Sequence, residues 1–218
     1  MYKAGKKITL IIITLCVCLV FIAGCAGSPS SEEPKSPQPP ANNADAINPE
    51  PNNPEPEGEN QRQLVSEIVR QAEQGKVPGC QYVAGTTVFD QVEKEWGKPN
   101  RADYVAAAKG TYYSYTSRGF VLGINKGMQI FEVRAMAQGT DLAKVTVADV
   151  QKVLGPPDKM LKYPGQDILG YAIGTKYKLE FVFPETGVNN EAPALDHVNV
   201  LYPKGTINMM ADDPGREW

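Results

Sequence analysis

The segment Val92-Glu93-Lys94-Glu95-Trp96-Gly97-Lys98-Pro99 has a counterpart 58 residues later that shares its pattern, Val150-Gln151-Lys152-Val153-Leu154-Gly155-Pro156-Pro157. In both copies the apolar residues are spaced for one face of a helix, and a glycine followed by a proline ends it. A threonine, Thr87 or Thr146, precedes each helix and has an aspartate three residues after it. The pattern predicts two short helices in equivalent places, each capped by its threonine.

Extended segments follow each of these helices, at 112–115, 120–124 and 129–134 in the first copy and at 169–172, 177–183 and 197–202 in the second. A longer amphipathic helix over 61–74 precedes both copies, with Asn60 as its expected cap. We therefore predict an α+β fold in which two tandem helix-plus-three-strand repeats, at about 85–136 and 144–204, form an antiparallel sheet with helices on one face. The other face is expected to stay partly open.

Several motifs in these copies resemble the YjgB-like lipoprotein family of Gram-positive bacteria. They are Gly85-Thr86-Thr87, Trp96-Gly97-Lys98-Pro99, the run from Asp103 to Tyr112, Asn125-Lys126-Gly127, the run from Gln129 to Arg134, and Leu195-Asp196-His197-Val198. The resemblance covers most of 80–204 and implies a location outside the membrane. That family is a domain of unknown function, so the resemblance implies no catalytic residues. More distantly, the helix-plus-strand plan is similar to the repeats of the beta-lactamase inhibitory protein, which bind proteins.

The N-terminus carries the pattern of a bacterial lipoprotein signal. Three lysines precede an apolar run from Ile8 to Ile22, which is shorter than the roughly 18 residues of a spanning helix. The run ends in Ile22-Ala23-Gly24-Cys25, which resembles a lipobox. We expect residues 1–24 to be removed and Cys25 to carry lipid such as palmitate, which anchors the chain to the extracytoplasmic face of the cell membrane. An uncleaved anchor with an incidental cysteine is the alternative.

The segment that follows Cys25 predicts a disordered tether up to residue 60. Nine prolines lie between Gly27 and Asn60, and almost no apolar residue accompanies them. Such a composition cannot offset the entropy lost on folding. At about 3.1 Å per residue the tether reaches roughly 100 Å. A proline-rich ligand for an aromatic groove is the alternative interpretation.

The duplicated domain at 61–218 is electrically neutral and poor in catalytic groups. It has as many Lys and Arg as Asp and Glu, which argues against nucleic-acid binding. It contains one cysteine, Cys80, expected to be buried and inert, and one histidine, His197. Asp196 and His197 are neighbours in a predicted strand and should point to opposite faces. We expect no metal ion, no cofactor and no catalytic residue.

The candidate binding residues lie in the predicted strands. Glu132, Arg134 and Glu180 are expected on the open sheet face, together with Tyr113 and Tyr115. Packing of the tyrosines in the core is the alternative. These features favour a non-enzymatic module that binds a protein or an envelope component. A cell-wall hydrolase that uses a Glu/Asp pair is the rival hypothesis.

Overall fold

The computed structural model describes residues 57–187, 192–207 and 213–216. The predicted signal peptide, Cys25 and the tether up to residue 56 lie outside these ranges. Among the described residues, no helix has the length and hydropathy needed to cross a bilayer.

The first helix, α1, spans Glu57–Ala72 and begins earlier than expected. Asn60 therefore lies inside the helix, and its assignment as the cap is wrong. The helix starts directly after Pro56, and Glu59 in its first turn suits the positive end of the helix dipole. Its apolar stripe is buried as expected, with Val65 and Ile68 fully enclosed.

The two equivalent helices are α2, Phe89–Trp96, and α3, Val147–Leu154. Each ends at a glycine with positive φ, Gly97 or Gly155, as the sequence predicts. Thr146 caps α3 in a reciprocal capping box with Asp149. Thr87 does not cap α2, because Val88 occupies the cap position and Thr87 Oγ1 instead accepts a hydrogen bond from the backbone N–H of Val83 at 3.0 Å.

Eight strands form one sheet in which every neighbouring pair is antiparallel. They are β1 Arg101–Val105, β2 Gly110–Tyr115, β3 Phe120–Ile124, β4 Ile130–Met136, β5 Lys159–Tyr163, β6 Gln166–Ile173, β7 Tyr177–Pro184 and β8 His197–Leu201. Their order is β1-β2-β3-β4-β8-β7-β6-β5. The predicted α+β class is confirmed, and β4 and β8 join the two halves at the centre.

Each half has four strands after its helix, so the predicted count of three is wrong. The additional strands are β1 and β5, which form the two edges of the sheet. Both expose most of their side chains and lack the apolar alternation that marks a half-buried strand. Backbone hydrogen bonds to β2 and β6 hold them in place, and a sequence pattern does not report those bonds.

The main core lies between the helices and one face of the sheet. The helices contribute Val65, Ile68, Ala72, Phe89, Val92 and Val150. The sheet contributes Tyr115, Leu122, Ile124, Val133, Leu169, Tyr171, Leu179, Phe181, Val198 and Val200. Burying one large apolar side chain contributes about 1.5–3 kcal/mol, so this layer is the principal source of stability.

A bulge in β4 brings a second apolar group to the opposite face. Ile124 pairs with Ile130 and Gly123 pairs with Glu132, so Phe131 has no partner in β3. Phe131 packs instead with Tyr112 and Leu201 in a small separate cluster. Its ring leaves no space for a side chain at Gly110, where a Cβ would lie 2.3 Å from the ring. The bulge thereby places a small apolar cluster beside Glu132.

Candidate functional site

The open face of the sheet is concave and encloses a cavity of ≈ 460 Å³. Its walls are apolar in part, with Val121, Ile168 and Val182 among the lining residues. Its floor is polar and comes from adjacent central strands. The polar residues on these strands are Arg134 of β4, His197 and Asn199 of β8 and Glu180 of β7, and Arg216 lies beside them.

Two buried carboxylates lie at this floor: Glu180 lines the cavity, and Glu132 lies behind the lining residues to which it is hydrogen-bonded. The exposed fraction is 0% for Glu132 and 1% for Glu180. Glu132 accepts hydrogen bonds from the Tyr112 hydroxyl at 2.8 Å and from Arg134 Nε at 2.5 Å. Glu180 accepts one from Asn199 Nδ2 at 3.1 Å. Buried charges persist only when they are paired and hydrogen-bonded, and both carboxylates meet that condition.

The guanidinium of Arg216 lies between the two carboxylates. Its Nη1 donates to Glu132 Oε2 at 2.5 Å, and its Nη2 donates to both oxygens of Glu180 at 3.1 Å. The backbone N–H of Arg216 donates to Thr206 Oγ1 at 2.6 Å, and Asp213 pairs with Lys109. The segment 213–216 therefore lies docked on the open face.

Electrostatics keep Glu132 and Arg216 ionised at neutral pH. Burial alone would raise the pKa of Glu132, but the guanidinium groups of Arg134 and Arg216 outweigh it and lower that pKa from 4.5 to about 2. Burial lowers the pKa of Arg216, yet the carboxylates of Glu132 and Glu180 raise it above its usual value. Burial and the adjacent Glu132 charge raise the pKa of Tyr112, so its hydroxyl stays a donor.

His197 and Asp196 contact each other, contrary to the expectation that they point apart. Asp196 Oδ1 lies within hydrogen-bond distance of His197 Nδ1. Because β8 begins at His197, Asp196 lies outside the regular strand and the alternation of faces does not apply to it. The hydrogen bond with His197 lowers the pKa of Asp196.

The structure separates the five predicted binding residues into two groups. Glu132, Arg134 and Glu180 lie together on the open face, as expected. Tyr113 and Tyr115 lie on the helical face, which corrects their expected position. Tyr113 stacks on Phe89 with ring centroids 4.1 Å apart, and Tyr115 packs edge-on against Trp96 at 5.2 Å.

Three residues of the site were missing from the sequence-based prediction: Tyr112, Asn199 and Arg216. Strand alternation already places Tyr112 opposite Tyr113, so that signal was available. Asn199 is an amide between two valines of β8, which is a weaker signal. Nothing near Arg216 in the sequence indicates a partner at Glu132, because the contact is long-range.

Cys80 is buried, as expected from its sequence context. Burial raises the pKa of its thiol to about 11, so the reactive thiolate is rare at neutral pH. In the part of the chain that the structure describes, no cluster of three or more His, Cys, Asp or Glu residues is arranged to hold a metal ion.

Comparison with known proteins identifies the family of this domain. The sequence profile of a domain of unknown function, DUF4309, matches residues 65–201. The chain belongs to the DUF4309 family. The DUF4309 match includes α2, α3 and all eight strands, and with them Glu132 and Glu180. Arg216 lies beyond the matched range.

Relatives of this DUF4309 domain agree with the resemblance drawn from the motifs. The uncharacterized protein YjgB of Bacillus subtilis strain 168 is 29% identical in an alignment of 162 residues that covers 65% of this chain and 78% of that protein. The crystal structure of a DUF4309 family protein, YjgB, from the same species has a TM-score of 0.52 at 25% identity and covers 65% of this chain and 97% of that one. The YjgB-like resemblance is confirmed, and the one to the beta-lactamase inhibitory protein stays a prediction.

Proposed function

We propose that this chain is a lipid-anchored protein on the extracytoplasmic face of the cell membrane, and that its DUF4309 domain binds a protein or envelope component in the concave sheet face. The lipobox ending at Cys25 and the proline-rich segment after it support the anchor and the tether. Binding of this kind requires no catalytic residue.

The cavity on the open face is the observation that carries the binding role. Its volume of ≈ 460 Å³ falls within the roughly 300–1,000 Å³ of ligand pockets. It combines apolar walls with fixed polar groups at its floor. Asn199 Oδ1 is buried there and accepts no hydrogen bond from any described group. Leaving such an oxygen without a donor costs about 1–3 kcal/mol.

The rival hypothesis, a cell-wall hydrolase, fits the carboxylates poorly. Glycoside hydrolysis requires one carboxyl group with a raised pKa to act as the acid. The pKa of Glu132 is lowered, and Arg216 donates hydrogen bonds to both Glu132 and Glu180. A zymogram on purified wall material tests this directly, since turnover lost in Glu180→Gln would favour the hydrolase.

The anchor is tested by replacing the predicted lipid site. Cys25→Ser should abolish incorporation of labelled palmitate and move the protein from the membrane fraction to the medium. Cys80→Ser is the matched control, because Cys80 is buried in the domain and should leave labelling unchanged. Labelling that persists in Cys25→Ser would contradict the proposed anchor.

The binding role is tested at the rim of the cavity. Tyr163 lines the cavity, and 60% of its surface is exposed, so Tyr163→Ala should alter binding without disturbing the core. Tyr104→Ala is the matched control, because Tyr104 is 66% exposed and alternates to the other side of its strand from the lining residues Asp103 and Val105. Proteins and wall fragments captured from envelope extracts are compared by quantitative mass spectrometry. Identical capture by all three chains would refute the proposal.

A further inference from the structure

The carboxylate pair on the open face is built to hold a guanidinium group. We propose that Glu132 and Glu180 form a guanidinium-binding subsite of the cavity, that Arg216 fills it in this structure, and that the binding partner presents an arginine side chain of a peptide to the same subsite. This inference rests on the proposed binding function and names the chemistry of its ligand.

The geometry suits a guanidinium better than an ammonium group. Two different nitrogens of Arg216 donate hydrogen bonds to the two acids: Nη1 donates to Glu132, and Nη2 donates to both oxygens of Glu180. A planar fork with several N–H donors can make this set of bonds at once, whereas a lysine offers one point of charge. The subsite therefore discriminates between the two cationic side chains.

The acids are held in place by the sheet. Tyr112 and Arg134 bond Glu132, and Asn199 bonds Glu180. The guanidinium of Arg134 also lies over the ring of Tyr112, with Cζ 4.4 Å from the centroid. Because these partners belong to strands, the two carboxylates stay positioned when the cation leaves, and an arriving guanidinium meets a preformed acceptor.

The residue that fills the subsite comes from a segment outside the regular helices and strands. Besides the guanidinium bonds, the described contacts of the segment 213–216 include the half-buried ion pair between Lys109 and Asp213 and the bond from the backbone N–H of Arg216 to Thr206 Oγ1. Glu132 and Glu180 lie inside the range that matches the family, and Arg216 lies outside it. Arg216 and Glu180 both line the cavity, so a ligand there meets Glu180 directly and meets Glu132 once it takes the place of Arg216.

Competition between the chain's own arginine and an external one gives a measurable signature. A tethered group acts at an effective concentration in the millimolar range, so it weakens the apparent affinity of any competitor. Removing Arg216 should therefore expose the subsite and raise the affinity for an arginine peptide. Removing an acceptor carboxylate as well should lower that affinity again.

The experiment uses the full chain and two peptides in calorimetry. The probe is the tetrapeptide Asp-Pro-Gly-Arg, which copies residues 213–216, and the control is Asp-Pro-Gly-Lys. Arg216→Ala should bind the arginine peptide at least about tenfold more tightly than the native chain, and the lysine peptide at least about tenfold more weakly than the arginine peptide. Equal affinities in either comparison would overturn the subsite.

Further variants keep the test decisive if Arg216→Ala folds poorly. Lys109→Ala releases Asp213 without touching the subsite, so it should also bind the arginine peptide more tightly than the native chain. The double variant Arg216→Ala/Glu180→Gln should lose the affinity gained in Arg216→Ala. An unchanged affinity in Lys109→Ala, or a retained affinity in the double variant, would count against the proposal.

Failure of this inference is separable from failure of the proposed function. If capture from envelope extracts depends on Tyr163 but the arginine peptide binds neither Arg216→Ala nor Lys109→Ala, the guanidinium subsite is wrong and the binding role stands. If the peptide binds as expected but Tyr163→Ala leaves capture unchanged, the subsite stands and the proposed role of the cavity in envelope binding is wrong.

Discussion

Arg216 donates a hydrogen bond to Glu132 at 2.5 Å across 84 positions of the chain. The contact joins the segment 213–216 to the middle of the central strand β4. The same guanidinium bonds Glu180 in β7, so one side chain connects elements of both halves of the sheet. Arg216 therefore both contributes to the stability of the open face and determines whether the two carboxylates at its cavity are occupied.

Loss of Arg216 should destabilise the domain. Arg216→Ala removes a cation from two buried carboxylates, and we expect the free energy of unfolding to fall by about 1–3 kcal/mol. Urea titration followed by circular dichroism measures the change. Arg70→Ala is the matched control, because Arg70 pairs with Glu67 at the exposed surface of α1 and its loss should be undetectable. A native-like midpoint for Arg216→Ala would contradict the prediction.

Acid should destabilise the domain through Glu132. The pKa of this carboxyl is about 2 in the folded protein and 4.5 without its partners, so the unfolded state binds the proton more tightly. The stabilisation is present above pH 4.5 and is lost as the pH falls through the folded pKa, by at most about 3 kcal/mol.

The variant Glu132→Gln isolates this contribution. Its stability should be lower at pH 7 and should change less than that of the native domain between pH 4.5 and pH 2. Glu93→Gln replaces an exposed carboxyl of α2 and serves as the control, with a native pH profile. Urea midpoints across the pH range provide the comparison, and a native slope in Glu132→Gln would exclude the assignment.

The tyrosines of the two sheet faces should differ in what their hydroxyl groups contribute. Tyr115 and Tyr171 each donate to a carbonyl at the end of a helix, Gly97 O and Gly155 O, both at 3.1 Å. Replacing either by phenylalanine should cost about 1 kcal/mol, the usual contribution of a neutral hydrogen bond. Tyr112 donates to a buried carboxylate, so Tyr112→Phe should cost about 2 kcal/mol.

Thermal unfolding of the three tyrosine variants provides the measurement. Tyr115→Phe and Tyr171→Phe are controls for each other, since they remove equivalent bonds in the two halves. Only Tyr112→Phe should also alter the binding of the arginine peptide, because only Tyr112 contacts Glu132 on the open face. The prediction is contradicted if Tyr112→Phe costs no more stability than the other two.

Cys80 should resist alkylation in the folded domain. Its surface is 5% exposed, and burial raises the pKa of its thiol to about 11. Treatment with iodoacetamide at pH 7.5 followed by peptide-resolved mass spectrometry reports Cys80 separately from the other cysteines. We expect modification only after denaturation, and rapid modification of the native protein would disprove the buried position.

Patterns among neighbouring residues in the sequence predict the helices and the six inner strands. The glycine and proline after Trp96 and Leu154 stop both helices where expected, because these residues act on the backbone locally. The edge strands β1 and β5 lack that information, since their side chains are exposed and only pairing with β2 and β6 defines them. Thr87 failed as a cap for a similar reason, because its hydroxyl found another partner in Val83.

The candidate site was only half predictable. Alternation along a strand puts Glu132 and Arg134 on one face, and the same rule puts Tyr113 and Tyr115 together on the other. Which of the two faces the helices cover depends on packing, and the packing of Phe89 and Trp96 assigned both tyrosines to the core. Family membership assigns no role to these residues, since the family is a domain of unknown function.

The sequence by itself determined the α+β class, the places of α2 and α3, and the alternation that unites Glu132 with Arg134. It also predicts the lipid anchor at Cys25, because signal and lipobox are read as linear motifs. The tertiary structure alone decided the bulge at Phe131 and the insertion of Arg216 between Glu132 and Glu180. Local patterns record the backbone geometry of adjacent residues, whereas these contacts arise only when strands distant in sequence are brought together and their buried charges must find partners.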